Sequence, residues 1–161
     1  MSAERVVHPF APVFDKDSEI LILGSFPSVV SREKNFYYAH KQNRFWPVLS
    51  ALFHEEIQDR KQFVLEHHIA LWDVIRSCTI TGSTDATIRD AEVNDIASVI
   101  ERTNIRTVFT TGGTAAKLYR KYIDLPVEHI ALPSTSAANA AMRMDDLIRA
   151  YSVILEKLNE Q

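Results

Sequence analysis

Residues 37–46 read Tyr37-Tyr38-Ala39-His40-Lys41-Gln42-Asn43-Arg44-Phe45-Trp46, a run that mixes aromatic rings, cations and primary amides. Aromatic faces stack on bases, cations pair with phosphates, and one amide can read a base edge by donating and accepting at once. Tyr38 lies ahead of the helix that follows and is available for stacking. Trp46 belongs by its spacing to the core face of that helix, and Phe45 has either use. Two further loops carry small and hydroxylated residues: Gly24-Ser25-Phe26-Pro27-Ser28 and Leu132-Pro133-Ser134-Thr135-Ser136-Ala137-Ala138-Asn139. Small side chains there let backbone amides approach a phosphate or a base, although loops of this composition also occur as plain turns. The first loop has neither the glycine spacing of a dinucleotide site nor the lysine of a phosphate-binding P-loop.

Regular elements must hold these loops. Glu19-Ile20-Leu21-Ile22-Leu23-Gly24 predicts a strand buried on both faces of a parallel sheet. Residues 25–42 read as irregular, after which Asn43 can cap a helix over 44–53 with Trp46, Leu49, Leu52 and Phe53 at helical spacing. A short helix is expected over 59–67 and a strand over 69–74. Asn94-Asp95 then caps a helix bearing Ile96, Val99 and Ile100, and a strand over 105–110 ends at Gly112-Gly113. Thr114 begins a further helix, residues 127–132 form a strand, and 145–158 form a terminal helix with Ile148, Tyr151, Ile154, Leu155 and Leu158 facing inward. Such alternation implies an α/β sandwich, whose ligands lie at the carboxyl ends of parallel strands. Residues 24–43, Gly112-Gly113 and residues 133–139 should therefore converge on one crevice.

At 161 residues, 46% hydrophobic and 24% charged, the chain is expected to form a single domain over residues 1–161. No apolar run approaches the length of a bilayer and no signal pattern opens the chain, so a cytoplasmic protein without membrane attachment is expected. Cys78 is the only cysteine, which excludes an intrachain disulfide and a cysteine-ligated metal; it reads as a small buried hydrophobe. His67-His68 lack the spacing of two ligands on one helix face, and neither a metal nor a cofactor is expected. A net charge of −3 argues against coating nucleic acid through bulk electrostatics. Locally, however, Arg32, Lys34, Lys41 and Arg44 face only Glu33, which allows one basic patch.

Taken in order, Leu23 to Ser28, Tyr37 to Trp46, Leu71-Trp72-Asp73-Val74, Gly82-Ser83-Thr84-Asp85 and Leu132 to Asn139 resemble the motifs of the uracil-DNA glycosylase superfamily, and among them the deoxyinosine (hypoxanthine) DNA glycosylases. Each motif alone is weak; their shared order across most of the chain is specific. Lys41 stands where the family usually has proline, and Ala137 replaces the proline of the last motif. The resemblance implies a three-layer α/β/α sandwich around a central, mainly parallel four-stranded sheet. It also implies a glycosylase acting on double-stranded DNA that contains a deaminated base; no lysine sits in a motif that marks a Schiff-base nucleophile, so a monofunctional enzyme is expected, and a monomer.

By the same resemblance Asn43 is the main catalytic candidate. Gly24, Ser25, Phe26, Pro27, Tyr38, His40 and Phe45 would line the base pocket, and Ser28, Lys41, Arg44, Ser134, Thr135, Ser136, Ala137 and Asn139 would contact DNA. Deamination of adenine turns a donor at position 6 into the acceptor O6 and the acceptor N1 into N1–H. One fixed amide at Asn43 could donate to the first and accept from the second. The competing role of Asn43 is a helix cap, which would use the same amide oxygen. Several branches of the superfamily carry Asp or Asn where Phe26 stands, so water activation would fall to backbone carbonyls near Ser25 to Pro27. His40 would either protonate the leaving base or tether backbone. Asp73 and Asp85 read as orienting or capping carboxylates. Three other readings stay open: a uracil or mismatch glycosylase, a non-catalytic lesion-binding module, and a nucleoside-binding protein.

Overall fold

A computed structural model describes residues 2–158. The strands are β1 (Glu4–Val7), β2 (Ile20–Gly24), β3 (Ile69–Asp73), β4 (Ile75–Ile80), β5 (Arg89–Val93), β6 (Thr107–Thr111) and β7 (Glu128–Leu132). The helices are α1 (Val29–Lys34), α2 (Phe45–Phe53), α3 (Arg60–Glu66), α4 (Ile96–Glu101), α5 (Gly113–Tyr122), α6 (Met144–Tyr151) and α7 (Val153–Leu158). A sheet of order β3-β2-β6-β7, parallel at every pairing, forms the middle layer.

The apolar run of β2 explains the three layers. Successive strand residues point to opposite faces. Ile20 and Ile22 pack with Phe45, Val48 and Leu49 of α2 and with Leu147 and Tyr151 of α6. Leu21 and Leu23 pack on the other face with Ile96 and Val99 of α4 and Ala115 and Tyr119 of α5. All four strand side chains are completely buried, each contributing about 1.5–3 kcal/mol of apolar burial. The expected sandwich and its parallel four-stranded sheet are what the chain forms.

Three local expectations change. Residues 25–42 are not wholly irregular: α1 starts at Ser28, whose Oγ accepts from the Ser31 N–H, and stops at Asn35 in the left-handed conformation at φ 54°. Six residues are too few for helical periodicity to register in sequence. The terminal helix is two helices, α6 and α7, parted at Ser152, whose hydroxyl bonds back to the Arg149 carbonyl. Finally, β1, β4 and β5 build a second, antiparallel sheet of order β1-β4-β5 that no sequence pattern announces. The polar run of β5 alternates weakly, and its pairing with β4 is interrupted by register shifts.

Phe26, Ile75, Cys78 and Ile80, packed with Val6, Ala91 and Leu118 of α5, form a small core on the antiparallel sheet, so Cys78 is the buried hydrophobe expected. Among the described residues no helix is long and apolar enough to cross a membrane.

Candidate functional site

The carboxyl ends of β2, β3 and β6 open into one cavity of about 580 Å³, within the usual range for small-ligand sites. Its wall is made by Gly24 to Ser28, Ser31, Tyr37, Tyr38, Asn43, Asp73, Ser83 to Asp85, Thr111, Ser134 to Ser136, Ala138 and Asn139. The loops that sequence placed together therefore do converge, with Thr111 standing in for the glycines that follow it. A second groove, of about 460 Å³, runs between Asp15 and α3; Asp59, Lys61 and Glu66 line it with Asp15, so carboxylates outnumber the one cation there.

Asn43 sits just before α2. Its Oδ1 accepts from the Phe45 N–H at 2.9 Å and from the Thr135 hydroxyl at 2.8 Å. These two donors occupy both lone pairs of the amide oxygen. The orientation of the amide follows, and its NH₂ group borders the cavity with no acceptor among the described residues. Capping and presentation thus divide the amide between them: the oxygen anchors α2 and the nitrogen is left to a ligand. The expectation that Asn43 both donates to and accepts from one base does not hold in this arrangement.

Tyr38 takes a left-handed backbone conformation at φ 51° and lies flat on Phe45, with ring centroids 3.9 Å apart and planes at 13°. Its hydroxyl bonds Thr111 Oγ1 at 3.1 Å. Burial and then the Asp73 carboxylate hold the Tyr38 proton on well above its ordinary pKa, so this group stays neutral. Phe45 is fully buried behind Tyr38 and does not line the cavity, because the core face of α2 claims its ring. His40 is not on the wall either: its Nδ1 accepts from the Gln42 N–H at 3.1 Å, the tethering alternative. Lys41 and Ala137 are exposed outside the wall.

The hydroxylated loop is held from beneath by Arg44. Its guanidinium donates to the carbonyls of Met142, Ser136 (2.9 Å) and Asn139 (3.0 Å), and its backbone N–H donates to the Thr135 carbonyl at 3.0 Å. A side chain expected at a phosphate instead fixes the loop. Arg32 likewise turns inward, to the Gly82 carbonyl at 2.7 Å. Thr135 is buried and committed to Asn43, and the Asn139 amide donates to the Ser134 carbonyl at 3.0 Å. Ser134 and Ser136 accept backbone N–H groups, which leaves their hydroxyl protons for a ligand at the cavity rim.

Sequence reasoning missed one relationship. Asp73, at the end of β3, lies opposite Gly24 in the parallel register, and its Oδ2 meets His8 Nε2 at 2.7 Å. The His8 Nδ1–H donates to the Phe10 carbonyl at 2.9 Å. Pairing of β1 with β4 carries His8 there: the His8 N–H bonds the Arg76 carbonyl just beyond the Val7–Ser77 pair. Gly24 is required at this point because a Cβ would lie 2.5 Å from Asp73 Oδ1 and 3.2 Å from the Tyr38 hydroxyl. Across the cavity, Asp85 accepts from Ser25 Oγ at 2.8 Å. Although Asp85 is exposed as a residue, partial burial of its carboxyl tip raises its pKa, the Ser25 bond opposes this, and the Asp73 charge adds to it. No cluster of metal-ligating side chains occurs among the described residues.

Residues 11–158 match the family model of the Uracil DNA glycosylase superfamily. A hypoxanthine DNA glycosylase of Methanosarcina acetivorans is 36% identical over 136 residues, which are 81% of this chain and 86% of that protein. One from Methanosarcina barkeri is 33% identical over the same extents. A solution NMR structure from Methanosarcina acetivorans, of a protein described as a candidate uracil DNA glycosylase, superposes with a TM-score of 0.76 at 30% identity, covering 91% of this chain and 96% of that one.

Proposed function

Because the chain belongs to the uracil DNA glycosylase superfamily, we propose that it excises a deaminated base from double-stranded DNA, hypoxanthine first among them, by hydrolysing the N-glycosidic bond. The observation that carries this reading is the Asn43 amide, anchored through its oxygen and presenting only its NH₂ to a cavity large enough for a flipped purine nucleotide.

Leaving-group departure places negative charge on the base and positive charge on the sugar. A preorganised donor aimed at the base stabilises that charge without reorganising during the reaction, and the Asn43 NH₂ is such a donor. Tyr38 supplies a flat wall, stiffened by Phe45 behind it, on which the base stacks. Ser134 and Ser136 offer hydroxyls at the rim for phosphates, whereas the Ser28 hydroxyl is spent on Ser31, and the exposed Ala137 and Ala138 would supply the wedge into the vacated stack. Ser25 O is engaged by the Ile75 N–H, so the Phe26 and Pro27 carbonyls are the acceptors left in this loop for an attacking water. A flipped base replaces duplex stacking with these contacts, which excludes bulk charge as the source of specificity and suits a chain of net charge −3.

The deciding assay is single-turnover base release from duplexes holding deoxyinosine, deoxyuridine, deoxyxanthosine or a G·T mismatch. Deoxyinosine should be the best substrate. Tight binding of lesion duplexes with no product from any of them would replace the enzyme by a lesion-binding module.

A further inference from the structure

We propose that Asp85 is the general base that takes a proton from the attacking water, a catalytic role that rests on the glycosylase reading above. Hydrolysis consumes a water for each base released. Its oxygen bonds to the sugar C1′ while the C1′–N9 bond breaks and that electron pair leaves with the purine. One water proton must pass to an acceptor in the cavity, and the purine anion later regains a proton from solvent. The Phe26 and Pro27 carbonyls can orient the water, but an amide carbonyl is far too weak a base to keep its proton.

The ionisable groups on the cavity wall are Tyr37, Tyr38, Asp73 and Asp85. Burial, and then the Asp73 charge, hold both tyrosine protons on. Asp73 is engaged: His8 Nε2 meets its Oδ2 at 2.7 Å, in a pair only 3% and 5% exposed. Asp85 remains. Its Oδ2 accepts from Ser25 Oγ at 2.8 Å, which fixes the carboxylate beside the loop that carries the Phe26 and Pro27 carbonyls. Its Oδ1 accepts a hydrogen bond from none of the described residues and is left for the water.

The segment bearing Asp85 is held from outside the cavity. Asp85 opens a 3₁₀ turn, Asp85–Thr87, in the connection from β4 to β5. Arg32 donates to the Gly82 carbonyl at 2.7 Å, the Val29 N–H to Ser83 Oγ at 2.8 Å and the Thr87 hydroxyl to the Thr84 carbonyl at 2.7 Å. The antiparallel sheet and α1 thus deliver the carboxylate to the loop at the end of β2. Facing Asp85 are the Asp73 carboxylate, paired with His8, and the Cys78 thiol of β4, whose pKa burial raises; Arg32 is engaged at Gly82. Burial raises the pKa of Asp85, which makes it a stronger proton acceptor than an ordinary carboxylate. A carboxylate that destabilises the fold, set in a cleft beside the reacting atoms, is the arrangement that base catalysis calls for.

The test follows single-turnover release of hypoxanthine from a deoxyinosine duplex by wild type, Asp85→Asn and Asp85→Ala from about pH 4 to 9, with folding checked by thermal melting. Binding of a duplex carrying the non-cleavable 2′-fluoroarabino analogue is measured beside it. The wild-type rate should fall on the acid side, along a limb placed above the ordinary carboxylate range, as Asp85 takes up its proton. Asp85→Asn is isosteric and relieved of the charge; it should lose about 10²–10⁴-fold in rate at neutral pH, lose the acid limb and bind the analogue as wild type does. Formate, a carboxylate small enough for the space left, should raise the Asp85→Ala rate in proportion to its concentration, which a purely structural loss does not allow. A near wild-type rate or a retained acid limb in Asp85→Asn, a loss of analogue binding as large as the loss of rate, or no response to formate would overturn the role of Asp85 and leave the glycosylase reading standing. A wild-type protein that releases no base from any lesion duplex would take both down.

Discussion

Thr135 donates its hydroxyl proton to Asn43 Oδ1 at 2.8 Å, joining two residues 92 positions apart and tying the hydroxylated loop to the head of α2. With the Phe45 N–H on the same oxygen, this bond decides which end of the amide a ligand meets.

The first expected outcome concerns that anchor. Asn43→Ala should lower single-turnover release of hypoxanthine by at least about 10²-fold, the scale of losing one transition-state donor. Thr135→Val removes one of two anchors and keeps the donor, so its loss should be smaller, about 10-fold. Rapid-quench time courses on one deoxyinosine duplex compare the two, and a wild-type rate from Asn43→Ala would remove that residue from the mechanism.

Arg44 provides a contrast between bracing and phosphate contact. Its guanidinium serves three carbonyls of the chain segment 136–142, and its Nε is buried without a hydrogen-bond partner among the described residues. Arg44→Ala should therefore lower stability by ~2–4 kcal/mol, because it leaves three partly buried carbonyls without their donor. The slope of log affinity against log salt should stay at its wild-type value, since a lost phosphate contact would reduce it by about one. Urea melts and salt titrations of DNA binding give the two numbers.

Gly24→Ala places a methyl 2.5 Å from Asp73 Oδ1 and 3.2 Å from the Tyr38 hydroxyl. Overpacking of this kind costs about 1–3 kcal/mol. Displacing the carboxylate and the stacking ring together should reduce base release on the order of 10²-fold, since misplacements near 1 Å have that effect. A fully active, fully stable Gly24→Ala protein would show that the close contact does not matter.

Asp85 predicts a pH dependence. Its pKa is raised in the folded protein, chiefly by burial, so the folded state binds a proton more readily than the unfolded one. Stability from this group is present below the ordinary carboxylate range and is lost as pH rises through the folded pKa. Asp85→Asn removes that loss. It should raise the melting temperature at neutral pH relative to wild type, and the gain should shrink to nothing as pH falls below about 4. Melting curves of both proteins from pH 3.5 to 8 would show it; a gain that persists at the acid end contradicts the assignment.

Much of this architecture is legible in the residues themselves because its signals are local. Ile20 to Leu23 needs apolar neighbours on both faces, which means a parallel strand inside a sandwich, and Trp46, Leu49 and Leu52 mark the buried face of α2 wherever the helix docks. Loops following such strands must meet at their carboxyl ends, so Gly24 to Ser28, Tyr38, Asn43 and Ser134 to Ser136 share one cavity. Residue type does not reveal direction. Arg44 reads as a DNA contact and Arg32 as part of a basic patch, yet both serve backbone carbonyls; Phe45 reads as a pocket wall, yet it backs one. Those outcomes depend on which unsatisfied groups tertiary packing brings within reach.

The amino-acid sequence alone determined the layers, the order of the loops and the amide at the centre of the site, because periodicity and motif order are properties of neighbouring residues. Tertiary structure alone decided that Asn43 shows its nitrogen and that His8 reaches Asp73 across 65 residues. The reason is pairing. Strand β1 finds β4 through backbone hydrogen bonds that leave no side-chain pattern, and a buried oxygen takes its partners from whatever donors the folded chain delivers.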